Sequence, residues 1–135
     1  MVVAPTLQLP VAMQLLEAAD AMRAEALATM TVSELLSVYR GAALKALQRR
    51  VQAMTMRGVR LEERSAVRVL VSLDASHEVG VLQVEAFDRL VTPDQPDPAW
   101  SATVRQVWSQ LGYAQGRWWV LDQQDLSPDR WVPAP

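Results

Sequence analysis

The stretch that decides the fold is WSATVRQVWSQLGYAQGRWWVLDQQDL, residues 100–126. β-Branched, aromatic and other apolar residues, which suit a pleated and half-buried surface, are concentrated in two runs of it, TVRQVW at 103–108 and WWVL at 118–121. Gly112 and Gly116 bracket the connection between the runs. Because three residues separate these glycines, the pattern predicts a hairpin turn longer than two residues, with a glycine at positive φ and a bulge.

Trp118 and Trp119 are neighbours in the second run, so a regular strand points their side chains to opposite faces. If one of them enters the core, the other lies on the outer face of the sheet. A large aromatic side chain there is typical of a dimer or partner contact. We therefore expect the outward tryptophan to mark an interaction surface.

The composition predicts a packed globular domain that does not bind nucleic acid. The chain has 135 residues, of which 50% are hydrophobic and 21% charged, and a domain of this size buries roughly two thirds of its unfolded surface. Its net charge of -2 offers no electrostatic footprint for DNA or RNA. Because cysteine is absent, disulfides, thiolate catalysis and cysteine-type zinc sites are excluded.

The amino-terminal region lacks a basic segment, and Pro5, Pro10 and Glu17 interrupt its apolar residues. This pattern predicts no signal peptide, no membrane span and a cytoplasmic location. We interpret residues 1–10 as a leader and residues 11–126 as a single domain. Residues 127–135 form a proline-rich tail, predicted to be extended and anchored by Trp131.

Three helical segments are predicted ahead of the sheet. Pro10 suits a helix start, and apolar residues then recur at spacings of three and four: Leu15, Leu16, Ala19, Met22, Ala26, Leu27 and Met30. This periodicity places Asp20 and Arg23 largely on the solvated side. Residues 31–34, TVSE, fit a capping box and predict a short helix over 32–39. A longer helix is expected over 41–58, with Gly58 at its C-terminal stop.

The hydrophobic period then changes to that of strands. Residues 61–73 and 81–91 are predicted strands joined by a turn at 74–80, because apolar residues alternate with polar ones along most of their length. The proline-rich segment 92–99 predicts an exposed loop. With the opening hairpin, the chain is predicted to be an α+β domain with four antiparallel strands.

This order of elements resembles the nuclear-transport-factor-two-like superfamily, also called cystatin-like. The residues that carry the resemblance are the helix 41–58 running into Val59, the strands 61–73 and 81–91, VRQVW at 104–108 and GRWWVLD at 116–122. Within the superfamily the chain is most similar to domains of the mitochondrial inner-membrane translocase type and the plastid-division type. The resemblance implies a cone-shaped α+β barrel, in which a strongly curved four-stranded antiparallel sheet wraps over the N-terminal helices and leaves a cavity.

The superfamily includes isomerases, dehydratases, assembly modules and peptide or lipid binders, so the fold alone does not decide the function. Catalytic members similar to ketosteroid isomerase use a carboxylate base with a tyrosine or acid as oxyanion donor. The matching residue types here are Glu85, Asp88 and Tyr39. Because Glu85 is on the more polar strand face and Asp88 lies near a strand end, solvated or arginine-paired carboxylates are the favoured interpretation.

Other polar motifs favour ordinary surface roles. His77, the only histidine, lies in a predicted turn. The C-terminal part of the longer helix carries Arg49, Arg50 and Arg57. Positive charge suits the negative end of the helix dipole, so solvated arginines are favoured there over a phosphate-binding site. Asp122 and Asp125 alternate onto opposite faces, which favours a polar strand end over a cation site. The sequence contains no HExxH motif, EF-hand loop or phosphate-binding glycine loop, so we predict neither a metal nor a cofactor.

The aromatic and methionine residues suggest a binding surface. The candidate ligand or partner residues are Trp108, Trp118, Trp119, Phe87, Tyr39 and Met54, joined by Met56. Ordinary core packing is the alternative. We hypothesise a non-catalytic binding or assembly module that recognises a protein partner, including a second copy in a homodimer, or a small apolar ligand. The alternative hypothesis is a cofactor-free isomerase or lyase acting on a small apolar substrate.

Overall fold

The computed structural model describes residues 5–133. The elements in chain order are helix α1 Leu9–Thr29, a 3-10 turn at Ser33–Ser37, helix α2 Gly41–Arg57, strands β1 Arg60–Asp74, β2 Val79–Val91, β3 Ser101–Ala114 and β4 Arg117–Asp125, and a 3-10 turn at Pro128–Arg130. The strands form one antiparallel sheet in the order β1-β2-β3-β4. The predicted α+β class, with helices packed on a four-stranded antiparallel sheet, is confirmed. The sheet is open, with β1 and β4 at its edges.

Helix α1 packs its apolar stripe mainly on β1. It begins at Leu9, within the predicted leader, whose residues 1–4 lie outside the described part of the chain. The prediction that Asp20 and Arg23 face solvent is wrong, since they are only 2% and 9% exposed. Both share the inward stripe of Leu16 and Leu27, at spacings of four, three and four along the helix.

The 3-10 turn replaces the short helix predicted over 32–39. The expected capping box does not form, because the Thr31 hydroxyl hydrogen-bonds the hydroxyl of Thr29 at 2.8 Å. The next residues instead cover the edge of β4, where the N–H of Val120 donates to the Val38 carbonyl and the N–H of Arg40 to the Val120 carbonyl, both at 2.9 Å. Edge pairing of this kind satisfies backbone groups that the strand would otherwise leave unpaired.

The β3–β4 hairpin closes more tightly than predicted. Its turn is two residues long, and both Gln115 and Gly116 have positive φ, 53° and 79°. The mirror-image turn of this kind matches the twist of antiparallel strands, which is why it replaces the longer loop. The expected positive φ at Gly116 is confirmed, and the strand register shifts between Gln110 and Leu111.

The core lies between the helices and the inner face of the sheet. Its largest fully buried apolar side chains are Tyr39, Leu16, Leu27, Leu35, Leu82, Leu111, Val84 and Val120. Gly80 of β2 permits the close approach of α1, because a Cβ atom there would lie 2.7 Å from Leu16 Cδ1. The predicted C-terminal stop of α2 is also confirmed, since Gly58 is left-handed and donates its N–H to the last turn of the helix.

The tail folds back over the outer face of the sheet. The turn Pro128–Arg130 interrupts the predicted extended conformation, and the indole N–H of Trp131 donates to the Leu126 carbonyl at 2.9 Å. The side-chain amide of Gln106 pairs with the backbone of Val132 in both directions, each hydrogen bond 2.7 Å long. The remainder of the predicted tail, residues 134–135, lies outside the described residues.

Candidate functional site

The six predicted binding residues do not form one surface. Tyr39, Met54 and Trp118 are buried in the core. Trp108 is partly exposed beside Val81 on the outer face of the sheet, and Phe87 on the same face is 43% exposed. The additional candidate, Met56, is exposed on α2. Trp118, although buried in the core, also borders a groove of about 390 Å³ between α1 and the β3–β4 hairpin.

Trp119 lies on the face opposite Trp118, as alternation requires, yet it is only 6% exposed. The Arg40 guanidinium lies 3.7 Å and that of Arg117 4.5 Å from the centre of the Trp119 ring. The Trp119 indole N–H donates to the Ala114 carbonyl at 2.9 Å. The expectation of an exposed outward tryptophan is therefore wrong, because arginine side chains cover the ring through cation–π stacking.

The three residues of the catalytic alternative do not converge on one cavity. Glu85 is exposed on the outer sheet face. Asp88 lies on the inner side, where its Oδ2 accepts a hydrogen bond from the Thr103 hydroxyl at 3.0 Å and its buried Oδ1 has no partner among the described residues. The Tyr39 hydroxyl donates to the Ala19 carbonyl at 2.7 Å, and burial raises the pKa of Tyr39 well above its ordinary value.

The remaining sequence candidates lie on the surface. His77 is exposed in the β1–β2 turn, with Nδ1 2.8 Å from Oδ2 of Asp74. Asp122 and Asp125 are both exposed, and Asp122 Oδ1 accepts the backbone N–H of Gln123 at 2.9 Å. Within residues 5–133, no group of three or more histidines and carboxylates is placed to hold a metal ion.

A buried ion cluster that the sequence analysis did not predict joins α1 to the inner face of the sheet. Asp20 Oδ1 lies 3.2 Å from Arg23 Nε and 2.5 Å from Arg105 Nη2. Asp20 Oδ2 lies 2.7 Å from Arg68 Nε, and Arg68 Nη2 lies 2.6 Å from Glu63 Oε1. Two carboxylates thus face three guanidinium groups, which come from α1, β1 and β3.

The charges within the ion cluster shift the two carboxyl groups in opposite directions. Burial by itself would raise the pKa of Asp20, but Arg23 and Arg105 outweigh burial and hold that pKa below its usual range. Burial, followed by the negative charge of Asp20, raises the pKa of Glu63. Asp20 is therefore the carboxylate that the three arginines stabilise most.

The sequence did carry a signal for this cluster. Asp20 and Arg23 are the charged members of an otherwise apolar series in which Leu16 and Leu27 are the ends, so they share its inward direction. What the series could not reveal was their partners, because Arg105 is 85 residues from Asp20 along the chain.

The ion cluster borders a cleft between α2 and strands β3 and β4. The cleft has a volume of about 150 Å³ and is lined by Arg23, Ala43, Ala46, Leu47, Arg50, Arg105, Val107, Gln123, Gln124 and Asp125. Two of these residues, Arg23 and Arg105, contact Asp20 on one side and the cleft on the other. The floor of this cleft is therefore polar.

A second surface feature lies on the outer face of the sheet. We name it the outer patch and define it by four exposed apolar residues, Val67, Val69, Phe87 and Val104. Strand register places Glu85 between Val67 and Val104 in one row across β1, β2 and β3. A groove of about 410 Å³ runs along this part of the sheet.

The comparisons with known proteins support the fold. No family model and no curated protein matches this sequence. Among solved structures, the crystal structure of the intermembrane space region of chloroplast protein ARC6 is similar, with a TM-score of 0.73 and 13% sequence identity. The match covers 91% of this chain and 99% of that chain. The predicted likeness to plastid-division domains is thus confirmed at the level of the fold.

None of the helices in residues 5–133 combines the length and hydropathy that crossing a membrane requires.

Proposed function

We propose that this domain is a non-catalytic assembly module that pairs with a second copy of itself through the outer patch. The observation that carries the proposal is the exposure of four neighbouring apolar side chains on one sheet face, between 43% and 57% for each. Monomeric proteins rarely leave large contiguous apolar patches in water, and such patches are typical of protein interfaces. Phe87 supplies the aromatic anchor that such an interface needs.

Charge supports a second copy as the partner. Glu85 lies at the centre of the outer patch, and Arg64 pairs with Phe87 in the adjacent row of the sheet. Both side chains are exposed, and neither forms a salt bridge within residues 5–133. In a two-fold interface the same surface faces itself, so Glu85 of each copy would meet Arg64 of the other.

The tail limits the surface available to the partner. From Val69 of the outer patch one row of the sheet continues through Gln83 to Gln106, where the backbone of Val132 covers it. The outer patch is therefore accessible over β1 and β2 and bounded at β3. This boundary favours a contact centred on Val67, Glu85 and Phe87.

The test is the molar mass of the whole chain, measured by light scattering and sedimentation over a range of protein concentrations. We expect a reversible dimer that Phe87→Glu converts to a monomer, whereas Met56→Lys, an exposed apolar residue on α2, leaves association unchanged. A wild-type chain that stays monomeric at its highest soluble concentration would overturn the proposal.

Charge exchange tests the pairing itself. Arg64→Glu alone presents two acidic groups and Glu85→Arg alone presents two basic groups, so each variant is expected to repel itself. Mixed together, the two variants regain both opposite-charge contacts and are expected to form a mixed dimer. If both variants associate as the wild type does, the two-fold arrangement is wrong.

We further propose that the domain belongs to the nuclear-transport-factor-two-like superfamily. Support comes from the element order of two main helices followed by four antiparallel strands and from the GRWWVLD hairpin at 116–122. A cytoplasmic location stays a prediction of the sequence. No observation in the structure favours the isomerase or lyase alternative, because Glu85, Asp88 and Tyr39 lie in three separate environments.

A further inference from the structure

The cleft between α2 and strands β3 and β4 lies on the inner side of the sheet, away from the outer patch. Arg23 and Arg105 form part of its floor, while Arg50 and Asp125 are exposed members of its lining. Counted together with Arg68, Asp20 and Glu63 of the ion cluster behind the floor, four arginines face three carboxylates, which leaves a formal charge of +1. The cleft therefore presents an excess of positive charge in a partly desolvated space.

The floor arginines keep hydrogen-bond donors for another group. Within the described residues, Arg23 hydrogen-bonds Asp20 through Nε, and Arg105 does so through Nη2. A guanidinium group carries five N–H donors, so each arginine, besides lining the cleft, retains donors that Asp20 does not use. Because Asp20 holds both groups from behind, these donors are oriented before anything binds.

The positive charge of the cleft affects the pKa of Arg50, whose guanidinium group lies at its edge. Burial, repulsion from Arg23 and a smaller repulsion from Arg105 lower the pKa of Arg50, while Asp125 opposes the shift. Among residues 5–133, Arg50 has no carboxylate within salt-bridge distance. An anion in the cleft would reduce the repulsion among the three arginines.

The size of the cleft limits what can enter. The volume of the cleft is about 150 Å³. Pockets for whole drug-sized ligands are larger, roughly 300 to 1,000 Å³. The cleft therefore suits a single charged end group, which the apolar wall of Ala43, Ala46 and Leu47 would contact on the side of α2.

We propose that this cleft is a binding site for a small oxyanion, the carboxylate or phosphate group of a ligand. Arg23 and Arg105 bind its oxygens from the floor, and Arg50 closes over it from α2. Planar guanidinium groups match both kinds of oxyanion through paired N–H donors. The inference does not depend on the outer patch, and association of the chain is not required for it.

The experiment uses the whole chain, labelled with ¹⁵N, and follows the arginine Nε–Hε signals by NMR. Inorganic phosphate and acetate are titrated separately, with sodium chloride holding the ionic strength constant. We expect saturable shifts at Arg23, Arg50 and Arg105 with at least one of the two anions, and the tighter of the two identifies the oxyanion class. No saturable shift with either anion would overturn the proposal.

Two pairs of matched variants separate direct contact from general charge. Arg50→Gln is expected to weaken anion binding by about tenfold or more, because it removes a charged donor from the cleft. Arg49→Gln removes the same charge from the neighbouring helix position, outside the lining, and should have little effect. Equal losses in the two variants would mean that only long-range charge acts, which would overturn the site.

Removing the carboxylate of Asp125 should change the anion affinity in the direction opposite to Arg50→Gln. Asp125→Asn takes a negative charge out of the cleft lining and is expected to tighten anion binding several-fold. Asp122→Asn, also exposed on β4 but outside the lining, is its control. Both variants retain the floor arginines and their buried partners, so a change in binding is separable from a loss of folding. Equal tightening by the two variants would contradict the proposed position of the anion.

Discussion

Oδ2 of Asp20 in α1 lies 2.7 Å from Nε of Arg68 in β1, and Asp20 is only 2% exposed. Taking a carboxylate out of water costs several kcal/mol, so such a group persists only where its partners are held in place. Arg68 also reaches Glu63, and Arg105 reaches Asp20 from β3. The ion cluster thus fixes the position of α1 over the sheet through directional contacts.

Replacing Asp20 with asparagine should destabilise the fold strongly. The substitution leaves three buried guanidinium groups with Glu63 as their single carboxylate, and breaking a buried ion pair costs about 3–5 kcal/mol. Urea denaturation followed by circular dichroism measures the change. The control is Asp97→Asn, which breaks an exposed pair with Arg89 and should cost far less. A loss below about 1 kcal/mol for Asp20→Asn would contradict the structural role of the cluster.

The contribution of Asp20 should disappear in acid. Because the pKa of Asp20 is lower in the folded chain than its value of 3.8 without the fold, the unfolded chain takes up the proton first as the pH falls. The stabilisation is therefore fully present above about pH 4 and is lost as the pH falls through the folded-state pKa. The raised pKa of Glu63 acts in the opposite direction, so the wild-type chain is compared with Asp20→Asn. We expect the difference between their unfolding free energies to narrow below about pH 4, and a difference that is constant with pH would refute this assignment.

Gly80 should be sensitive to the addition of one methyl group. A Cβ atom there would lie 2.7 Å from Leu16 Cδ1, and overpacking of a close-packed interior costs about 1–3 kcal/mol. Gly80→Ala should therefore lower the unfolding free energy of the wild-type chain by an amount in this range. In a Leu16→Ala background the same substitution should cost less, because the clashing atom is absent. Equal costs in the two backgrounds would show that the close approach of α1 is not the cause.

Two substitutions in the β3–β4 turn should change the unfolding free energy in opposite directions. Gln115 has a φ of 53°, a conformation that asparagine adopts more readily than glutamine, so Gln115→Asn should raise the unfolding free energy by a few tenths of a kcal/mol. Gly116→Ala places a Cβ atom at a φ of 79° and should lower it by about 1–2 kcal/mol. Thermal unfolding of both variants provides the measurement. Effects of the same sign would contradict the mirror-image geometry of the turn.

Periodicity and residue type were sufficient to predict the helices and strands. The alternation in 81–91, the glycine stop at Gly58 and the β-branched and aromatic runs on each side of Gly116 all correspond to elements of the structure. The turn at Gln115 was misjudged because glutamine is not a typical residue at positive φ. The capping box failed because Thr29 offered the Thr31 hydroxyl another partner. Hairpin backbone geometry in the first case and a side-chain contact in the second outweighed a statistical preference.

The candidate sites were harder to predict than the elements. Strand alternation correctly placed Trp119 and Trp118 on opposite faces of the sheet. It could not show that Arg40, which precedes α2, and Arg117 of β4 cover the Trp119 ring. Tyr39 and Trp118, which were expected to line a cavity, are buried in the core, because the helices pack directly on the inner sheet face. The outer patch contains Phe87 from the predicted set, whereas its other members were treated as ordinary strand residues.

The sequence by itself determined the α+β class and the order of the elements, because these follow from backbone propensity and from periodicity along one helix or strand. Only the tertiary structure decided that Arg68 and Arg105 stand opposite Asp20 and that Arg50 joins them at the cleft. The physical reason is that a buried charge is stabilised by what faces it across space. Residues so distant along the chain become neighbours only when the sheet and helices pack.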